Sequence, residues 1–253
     1  CFLATTVMRG LPWIFYPTTL LAQSDSCIGS KSSINSGEVK NILGTFTPPE
    51  KVVIDVDFLQ TLEQREIFSG IGEMLKVHAI NSPESFDLIS AAYEDILKDP
   101  VIMEEFIHNS LSMKKKLIEI DEFDQGVRNV MNYGHSFGHA IESATNYGIP
   151  HGIAVTIGMD IANFVSAELK VSDVSHFERM HNVLEKNYRT YQHVDISVES
   201  LLNALSKDKK NSATQLRLIF PDQNGCIGIG LYDNNSKLKN SLDKYFKLYG
   251  GVN

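Results

Sequence analysis

Arg128–Met159, RNVMNYGHSFGHAIESATNYGIPHGIAVTIGM, is the stretch on which the reading of this chain turns, because it sets three histidines close to an arginine and to Asn132. His135 and His139 stand four apart in a segment whose continuation, AIESA, reads as helix, so both imidazoles emerge on one face, one turn apart. His151 follows a Gly-Ile-Pro break and opens a second apolar run, Ile153 to Phe164, which places it at the start of another helix. That geometry brings a third imidazole back toward the first two. Taken alone, the HxxxH spacing also fits histidines on a helix surface or in a core. A third, helix-initiating histidine tips the reading toward a divalent metal, which wants one more nitrogen or oxygen ligand and keeps a position open if it is catalytic.

Working outward, the 253 residues are 43% hydrophobic and 21% charged, enough to bury a sizeable core in one large domain or two small ones. A net charge of −8 argues against nucleic acid as a general partner, although a local basic cluster can still grip a small anion. No apolar run approaches the roughly 20 residues of a membrane span, and no basic-then-apolar leader opens the chain. Cys1, Cys27 and Cys226 are odd in number and widely spaced, which suggests neither a disulfide framework nor a cysteine metal site and fits a reducing cytoplasm. Beginning on Cys1, the chain reads as a fragment.

In order, residues 1–21 give an apolar helix-like start, a break at Arg9-Gly10-Leu11-Pro12 and a short strand, WIFY, ended by Pro17. Gln23 to Phe46 is polar and glycine-punctuated, either a surface loop or a set of lysines and asparagines (Lys31, Asn35, Lys40, Asn41) that closes on phosphate or hydroxyl oxygens. Lys51–Asp57, KVVIDVD, reads as a buried parallel-type strand. From Phe58 to about Ala204 the apolar spacing is helical, with segments at 63–80, 84–98, 100–119, 127–145, 151–169, 174–186 and 197–206. LRLIF and CIGIGL flank Pro-Asp-Gln-Asn-Gly as a hairpin, and a last amphipathic helix runs from Ser236 to Leu248. A boundary near residue 56 separates the end of an α/β unit, residues 1–56, from a helical domain, residues 57–253.

Three further constellations carry chemistry. In GIGEMLK, Gly70–Lys76, Glu73 and Lys76 share a helical face, as a surface ion pair or with Glu73 as the carboxylate of a His₂Glu metal site. In Lys114-Lys-Lys116 at least one lysine faces inward, and Arg128 lies two turns before His135, a fork-shaped carboxylate binder near the metal face. Lys207-Asp-Lys-Lys210 is a charged loop or an anion clamp.

PTTLLAQSDSCIGSKSSIN, GEVKNILGTF, GIGEMLK, RNVMNYGHSFGHAIE, HGIAVTIGM and KDKK follow one another as in the 3-dehydroquinate synthases, within the sugar-phosphate cyclases, and the chain resembles that family over most of its length. The resemblance implies a Rossmann-like NAD-binding domain, here only its C-terminal part, followed by a mainly α-helical metal-binding domain with the active site between them. It implies Glu73, His135 and His151 as ligands of zinc or cobalt, and Lys114 with Arg128 as the clamp on a substrate carboxylate. Lys31, Asn41, Asn132 and Lys210 become phosphate or hydroxyl contacts, and Lys76 and His139 hydrogen-bonding groups beside the reacting centre. Asp25 joins this catalytic set, and Arg9 resembles an arginine that reaches into a neighbouring subunit, implying a homodimer. Thr18, Thr19, Lys40, Phe58, Thr61 and Leu62 match positions lining NAD. The implied reaction closes 3-deoxy-D-arabino-heptulosonate 7-phosphate, an anionic sugar-acid phosphate, to 3-dehydroquinate with loss of phosphate, a step of the shikimate pathway.

Three positions depart from the pattern: Ser30 stands for Gly, Asp124 for Glu, and Ile153 for a Glu that could orient a metal ligand. The alternatives are a related cyclase acting on an amino-substituted acid and a catalytically inert fragment. The glycine-rich cradle of the NAD pyrophosphate is expected to precede Cys1, so the 253 residues by themselves are expected not to turn over.

Overall fold

The structure is a computed structural model that describes residues 1–36, 39–194, 196–206, 211–212 and 214–250. The chain runs α1 (Phe2–Thr6), β1 (Ile14–Phe15), β2 (Lys31–Ser36), β3 (Val39–Phe46), β4 (Lys51–Val52), α2 (Gln64–Asn81), α3 (Pro83–Ile96), α4 (Pro100–Ile120), α5 (His135–Ala144), α6 (His151–Glu168), α7 (Val174–Tyr188), α8 (Val198–Ser206), β5 (Gln215–Pro221), β6 (Ile227–Asp233) and α9 (Ser236–Tyr249). Short 3₁₀ turns at Val7–Arg9, Val56–Thr61, Val127–Asn132 and Arg189–Tyr191 and a π-helical turn at Ala22–Ser26 join them.

The helix starts follow local chemistry. Ser82, Asp99 and Asp173 accept backbone N–H bonds from the first turns of α3, α4 and α7, with Pro83 and Pro100 preset in the first turn of α3 and α4. Asn235 caps α9 in the same way. The expected hairpin is present: β5 pairs antiparallel with β6, Ile219 facing Ile229. Its turn places Gly225 at φ 78°, and the Asp222 carboxylate accepts from the N–H groups of Asn224 and Cys226.

Three expectations are corrected. The strand foreseen over Lys51–Asp57 is only Lys51–Val52, half exposed, and pairs parallel with β1, itself shortened to Ile14–Phe15. Its continuation turns away because the Asp55 side chain accepts from the Asp57 N–H and starts a 3₁₀ turn. The polar stretch 23–46 is not a loop: it forms a π-helical turn and the antiparallel pair β2–β3, with Ser32 and Thr45 hydroxyls bonded across it at 2.7 Å. The single helix foreseen over 127–145 is broken in two at Gly134, which lies at φ 75°. A Cβ there would stand 2.6 Å from the Val155 carbonyl oxygen, so both the backbone angle and the approach to α6 require glycine.

The core is organised by α6, buried without interruption from Gly152 to Ser166 and packed against α2, α5, α7, α9 and β5. A continuously apolar helix of this kind belongs in the middle of a domain. Its polar residues are satisfied internally. The fully buried Asp160 carboxylate accepts from Tyr188 and Tyr245 hydroxyls at 2.7 Å and from the His181 Nδ1–H at 2.9 Å, tying α6 to α7 and α9. Asn187 donates to the Phe68 carbonyl and to Thr156 Oγ1, both at 3.0 Å, and accepts from Tyr93 at 3.1 Å. Among the described residues no helix is long and apolar enough to cross a membrane, and Cys1, Cys27 and Cys226 are free.

Candidate active site

Two glycines build the site. Where α2 crosses α6, a Cβ on Gly152 would overlap the Ser69 carbonyl and one on Gly72 the Gly152 carbonyl, and the Gly152 N–H donates to Ser69 Oγ at 2.9 Å. This contact between backbones sets Glu73, next after Gly72, beside His151, next before Gly152. Glu73 Oε1 lies 3.4 Å from His151 Nε2 and 3.6 Å from His135 Nε2. Those distances are longer than a good hydrogen bond. Oε1 is therefore buried without a hydrogen-bond partner, aimed between two ring nitrogens, while Oε2 takes an ion pair from Lys76.

The imidazoles are held from behind. His135 Nδ1 meets the Tyr133 carbonyl at 3.1 Å, which requires its proton on Nδ1 and leaves the Nε2 lone pair toward Glu73. His151 Nδ1 meets Glu142 Oε1 at 3.2 Å, which places a proton on Nδ1 and turns Nε2 toward Glu73. The orienting carboxylate that Ile153 was expected to remove is thus supplied from α5, and Ile153 is a fully buried core residue. His139 completes a triangle of rings, 5.3 Å from His135 and 5.7 Å from His151 between centroids. One ligand atom from each of the three histidines lies within 4.8 Å of the others. Two overlapping donor sets are therefore present, three imidazoles or two imidazoles with Glu73. Either offers the nitrogen and oxygen donors a divalent metal such as zinc takes.

The electrostatics separate the histidines. Burial, aided by the Lys76 ammonium, pushes His135 down to about 3, so its ring is neutral and a lone pair is available. Burial also works against protonated His151, but its hydrogen bond to Glu142 and the charge of the nearby Glu73 outweigh this and raise it to about 9. Burial works against charge on Glu73, yet Lys76 holds its carboxyl well below the usual range. Lys76 in turn is raised by Glu73 and Asp25 against the cost of its burial. Burial works against charge on Asp25, yet Lys76 and Lys114 lower it, and Lys114 Nζ stands 3.0 Å from its Oδ1. Lys114, Asp25, Lys76, Glu73 and His151 thus form one chain of alternating charge.

The other residues singled out from sequence fall at different distances from this chain. Arg128 is buried, its guanidinium donating to the Glu122 carbonyl at 2.6 Å. Asn132 donates to the Asn129 carbonyl at 3.0 Å. Lys31 pairs with Asp124, one of the departures, at 2.8 Å, and the hydroxyl of Ser30 is buried without a partner. Asn41 sits exposed at φ 56° on β3, accepting from Ser33 Oγ, and Arg9 is exposed on the turn after α1; no described hydrogen bond or ion pair joins either to the histidines. Gln23 donates to the carbonyls of Pro17 and Asp55 at 3.1 and 2.8 Å, which draws Thr18 and Thr19 toward the turn bearing Phe58, Thr61 and Leu62. The side chain of Lys40 and the whole of Lys210 lie outside the described residues.

A cavity of about 260 Å³ opens over His135 and His139, lined also by Asn129, Asn132, Ser136, Arg217, Ile219 and Ile229. Two of the residues that shape the site, Glu142 and Arg217, escaped the sequence reading. Glu142 was visible as the acid ending GHAIE, and Arg217 as the lone cation between two leucines of a strand.

Residues 1–69 match the family model of the 3-dehydroquinate synthase N-terminal domain and residues 70–211 that of the C-terminal domain. The chain belongs to the 3-dehydroquinate synthase family. Similar members include the 3-dehydroquinate synthases of Dictyoglomus thermophilum, 39% identical over 90% of this chain and 64% of the relative, and Dehalococcoides mccartyi, 36% identical over 87% and 61%. That of Streptococcus pyogenes is 34% identical over 96% of this chain and 68% of its own length. The matched part of this family member thus spans somewhat under two thirds of the first two relatives. Among solved structures, 2-epi-5-epi-valiolone synthase from Streptomyces hygroscopicus, with NAD+ and Zn2+ bound, superposes with a TM-score of 0.85 at 22% identity, covering 97% of this chain and 69% of that one. A 2-deoxy-scyllo-inosose synthase in complex with carbaglucose-6-phosphate, NAD+ and Co2+ gives 0.80 at 23% identity, covering 98% and 70%. At that identity they speak for the fold, which is that of the sugar-phosphate cyclases.

Proposed function

We propose that this chain is the catalytic part of a 3-dehydroquinate synthase, which cyclises 3-deoxy-D-arabino-heptulosonate 7-phosphate to 3-dehydroquinate and releases phosphate in the shikimate pathway. The observation that carries the reading is the unpartnered Glu73 Oε1 held between His135 and His151 Nε2. A buried carboxylate oxygen without a partner is costly unless a ligand satisfies it. Glu73, His135 and His151 would hold the divalent metal, zinc or cobalt, leaving His139, the exposed member of the triangle, for the substrate.

In this reading residues 1–56 are the C-terminal part of a Rossmann-like NAD-binding domain, supported by the parallel pairing of β1 with β4, and 57–253 the metal- and substrate-binding domain. Thr18, Thr19, Lys40, Phe58, Thr61 and Leu62 would line NAD. When bound, the metal supplies Lewis acidity toward substrate hydroxyls and NAD a reversible hydride acceptor. The chain's own residues bind, orient and move protons. Lys76 keeps Glu73 ionised and offers its remaining N–H bonds inward. His139 Nε2 or Nδ1 exchanges a proton with a substrate hydroxyl in the cavity. Lys114 and Arg128 clamp the carboxylate, with Asp25 holding Lys114 in place. Lys31, Asn41, Asn132 and Lys210 contact phosphate or hydroxyl oxygens, and Arg9 does so from the neighbouring subunit of a homodimer. The free cysteines suit a cytoplasmic enzyme.

Retention of Lys114 and Arg128 favours the keto acid over the carboxylate-free sugar phosphates that sister cyclases close. The test is phosphate release by the full-length protein from the heptulosonate phosphate with NAD. Equal turnover of a carboxylate-free sugar phosphate would sink the reading.

A further inference from the structure

Arg217 is a cation without a described counter-charge at the wall of the histidine cavity. Strand alternation puts it there. Leu216 and Leu218 are fully buried on the core face of β5, so Arg217 and Ile219 stand on the opposite face, the one that lines the cavity with His135, His139 and Ser136. The backbone is fixed on both sides: Arg217 pairs with Leu231 of β6, and its N–H donates to Asn211 Oδ1 at 2.7 Å. The bland alternative is a solvated strand arginine. Against it, the side chain is half-buried, and among the described residues no carboxylate pairs with it, although acidic residues outnumber basic ones by 31 to 23. Arg65 and Arg179, by contrast, sit on Glu63 and Asp87 at 2.8 and 2.6 Å.

The side-chain amides of Asn129 and Asn132, which share this wall and carry no charge, are turned to backbone carbonyls. A guanidinium with no carboxylate partner among the described residues makes a receptor for an oxyanion, which its planar fork binds through two parallel N–H bonds.

We infer that Arg217 is a substrate-recognition residue that grips the phosphate of the substrate. The inference rests on the reading of the site as a cyclase of an anionic sugar-acid phosphate. Of the two anionic ends, phosphate is the one Arg217 takes, because Lys114 and Arg128, which clamp the carboxylate in that reading, do not line this cavity. Arg217 is anchored instead through Asn211, the residue next after Lys210, itself expected at phosphate. The hairpin β5–β6 is then a wall of the substrate site that sets which end of the acid enters first.

The test compares full-length wild type with Arg217→Gln and Arg217→Lys, each checked for an unchanged melting temperature. The expected result for Arg217→Gln is a rise of about ten- to a hundred-fold in KM for the heptulosonate phosphate, the usual worth of a charge-assisted contact. Inhibition by inorganic phosphate weakens in step, kcat stays within about threefold, and Arg217→Lys recovers part of the loss. An unchanged KM and phosphate inhibition constant in folded Arg217→Gln overturns the inference. So does a loss seen only with a phosphate-free carboxylate analogue. If the wild type releases no phosphate, the cyclase reading fails on its own, and calorimetric titration of inorganic phosphate still judges Arg217: equal affinity in wild type and Arg217→Gln overturns it.

Discussion

From Ser69 to Ala79 in α2 and from Gly152 to Ser166 in α6 every residue is buried, whereas in the first 61 residues Leu3, Met8, Ile14, Tyr16, Ile42, Phe46 and Phe58 are all exposed. The two regions also differ in how their polar groups are satisfied. Around α6, the Asp160 carboxylate takes donors from two helices and the Asn187 amide has partners on three. In residues 1–61 the strands β1 and β4 are two residues each, and the contact with the helices runs through a narrow buried strip that includes Leu20, Gln23, Ser24 and Cys27. The difference divides the site. Glu73, Lys76, His135 and His151 sit on close-packed helices, where packing fixes geometry before any ligand arrives. Lys31, Asn41 and Arg9 stand on an exposed hairpin and turn.

The largest break in this comparison comes from the helix crossing. Gly152→Ala forces a Cβ into the Ser69 carbonyl, so α2 and α6 must part; a loss of roughly 4 kcal/mol or more in urea denaturation is expected. Gly228→Ala, with nothing within 4 Å of its Cβ, is the control and is expected within about 0.5 kcal/mol of wild type.

Next is the buried carboxylate. Asp160→Asn leaves three donors facing a neutral amide, at an expected cost of about 3 kcal/mol. It also changes the pH profile. Burial disfavours protonated His181, but Asp160 outweighs this and raises its pKa above 6.5. A raised histidine contributes stability that is complete below the unfolded value and is lost as pH rises through the folded one. Wild-type unfolding free energy is therefore expected to fall as pH rises from 6.5 through the raised pKa of His181, and the fall should flatten in Asp160→Asn.

Comparable in stability but larger in chemistry is Glu73→Gln, expected to leave the buried Lys76 ammonium without its carboxylate, lowering the melting temperature, and to lower bound zinc or cobalt at least tenfold in this chain. Equal metal content by elemental analysis breaks the ligand assignment. Arg128→Ala is expected to raise substrate KM ten- to a hundred-fold, about 1.5–3 kcal/mol, while metal content and NAD affinity hold. The smallest effect belongs to the first region: Asp55→Ala removes the bond to the Asp57 N–H and is expected to cost about 1 kcal/mol or less.

Most helices were legible because burial on one face writes itself at three- and four-residue spacing, and Ser82, Asp99 and Asp173 mark their starts. The strand at 51–57 misled because an apolar run says nothing of length, and the Asp55 turn that cuts it short is a single hydrogen bond. The break at Gly134 was hidden because the GHSFGHA pattern is helical on both sides, and only the approach of Val155 and Met159 makes a left-handed residue necessary.

Sequence alone determined the family, the inventory of chemistry-bearing side chains and the pairing of His135 with His139 on one helix face, since all of these depend on residue type and near spacing. Tertiary structure decided the rest. That Glu73 reaches His151 across 78 positions, that Glu142 rather than residue 153 steadies His151, and that Arg217 shares a cavity with His139 all follow from which backbones approach closely. Close approach is set at glycine crossings and by strand registry, and these bring together side chains whose distance along the chain carries no record of the contact.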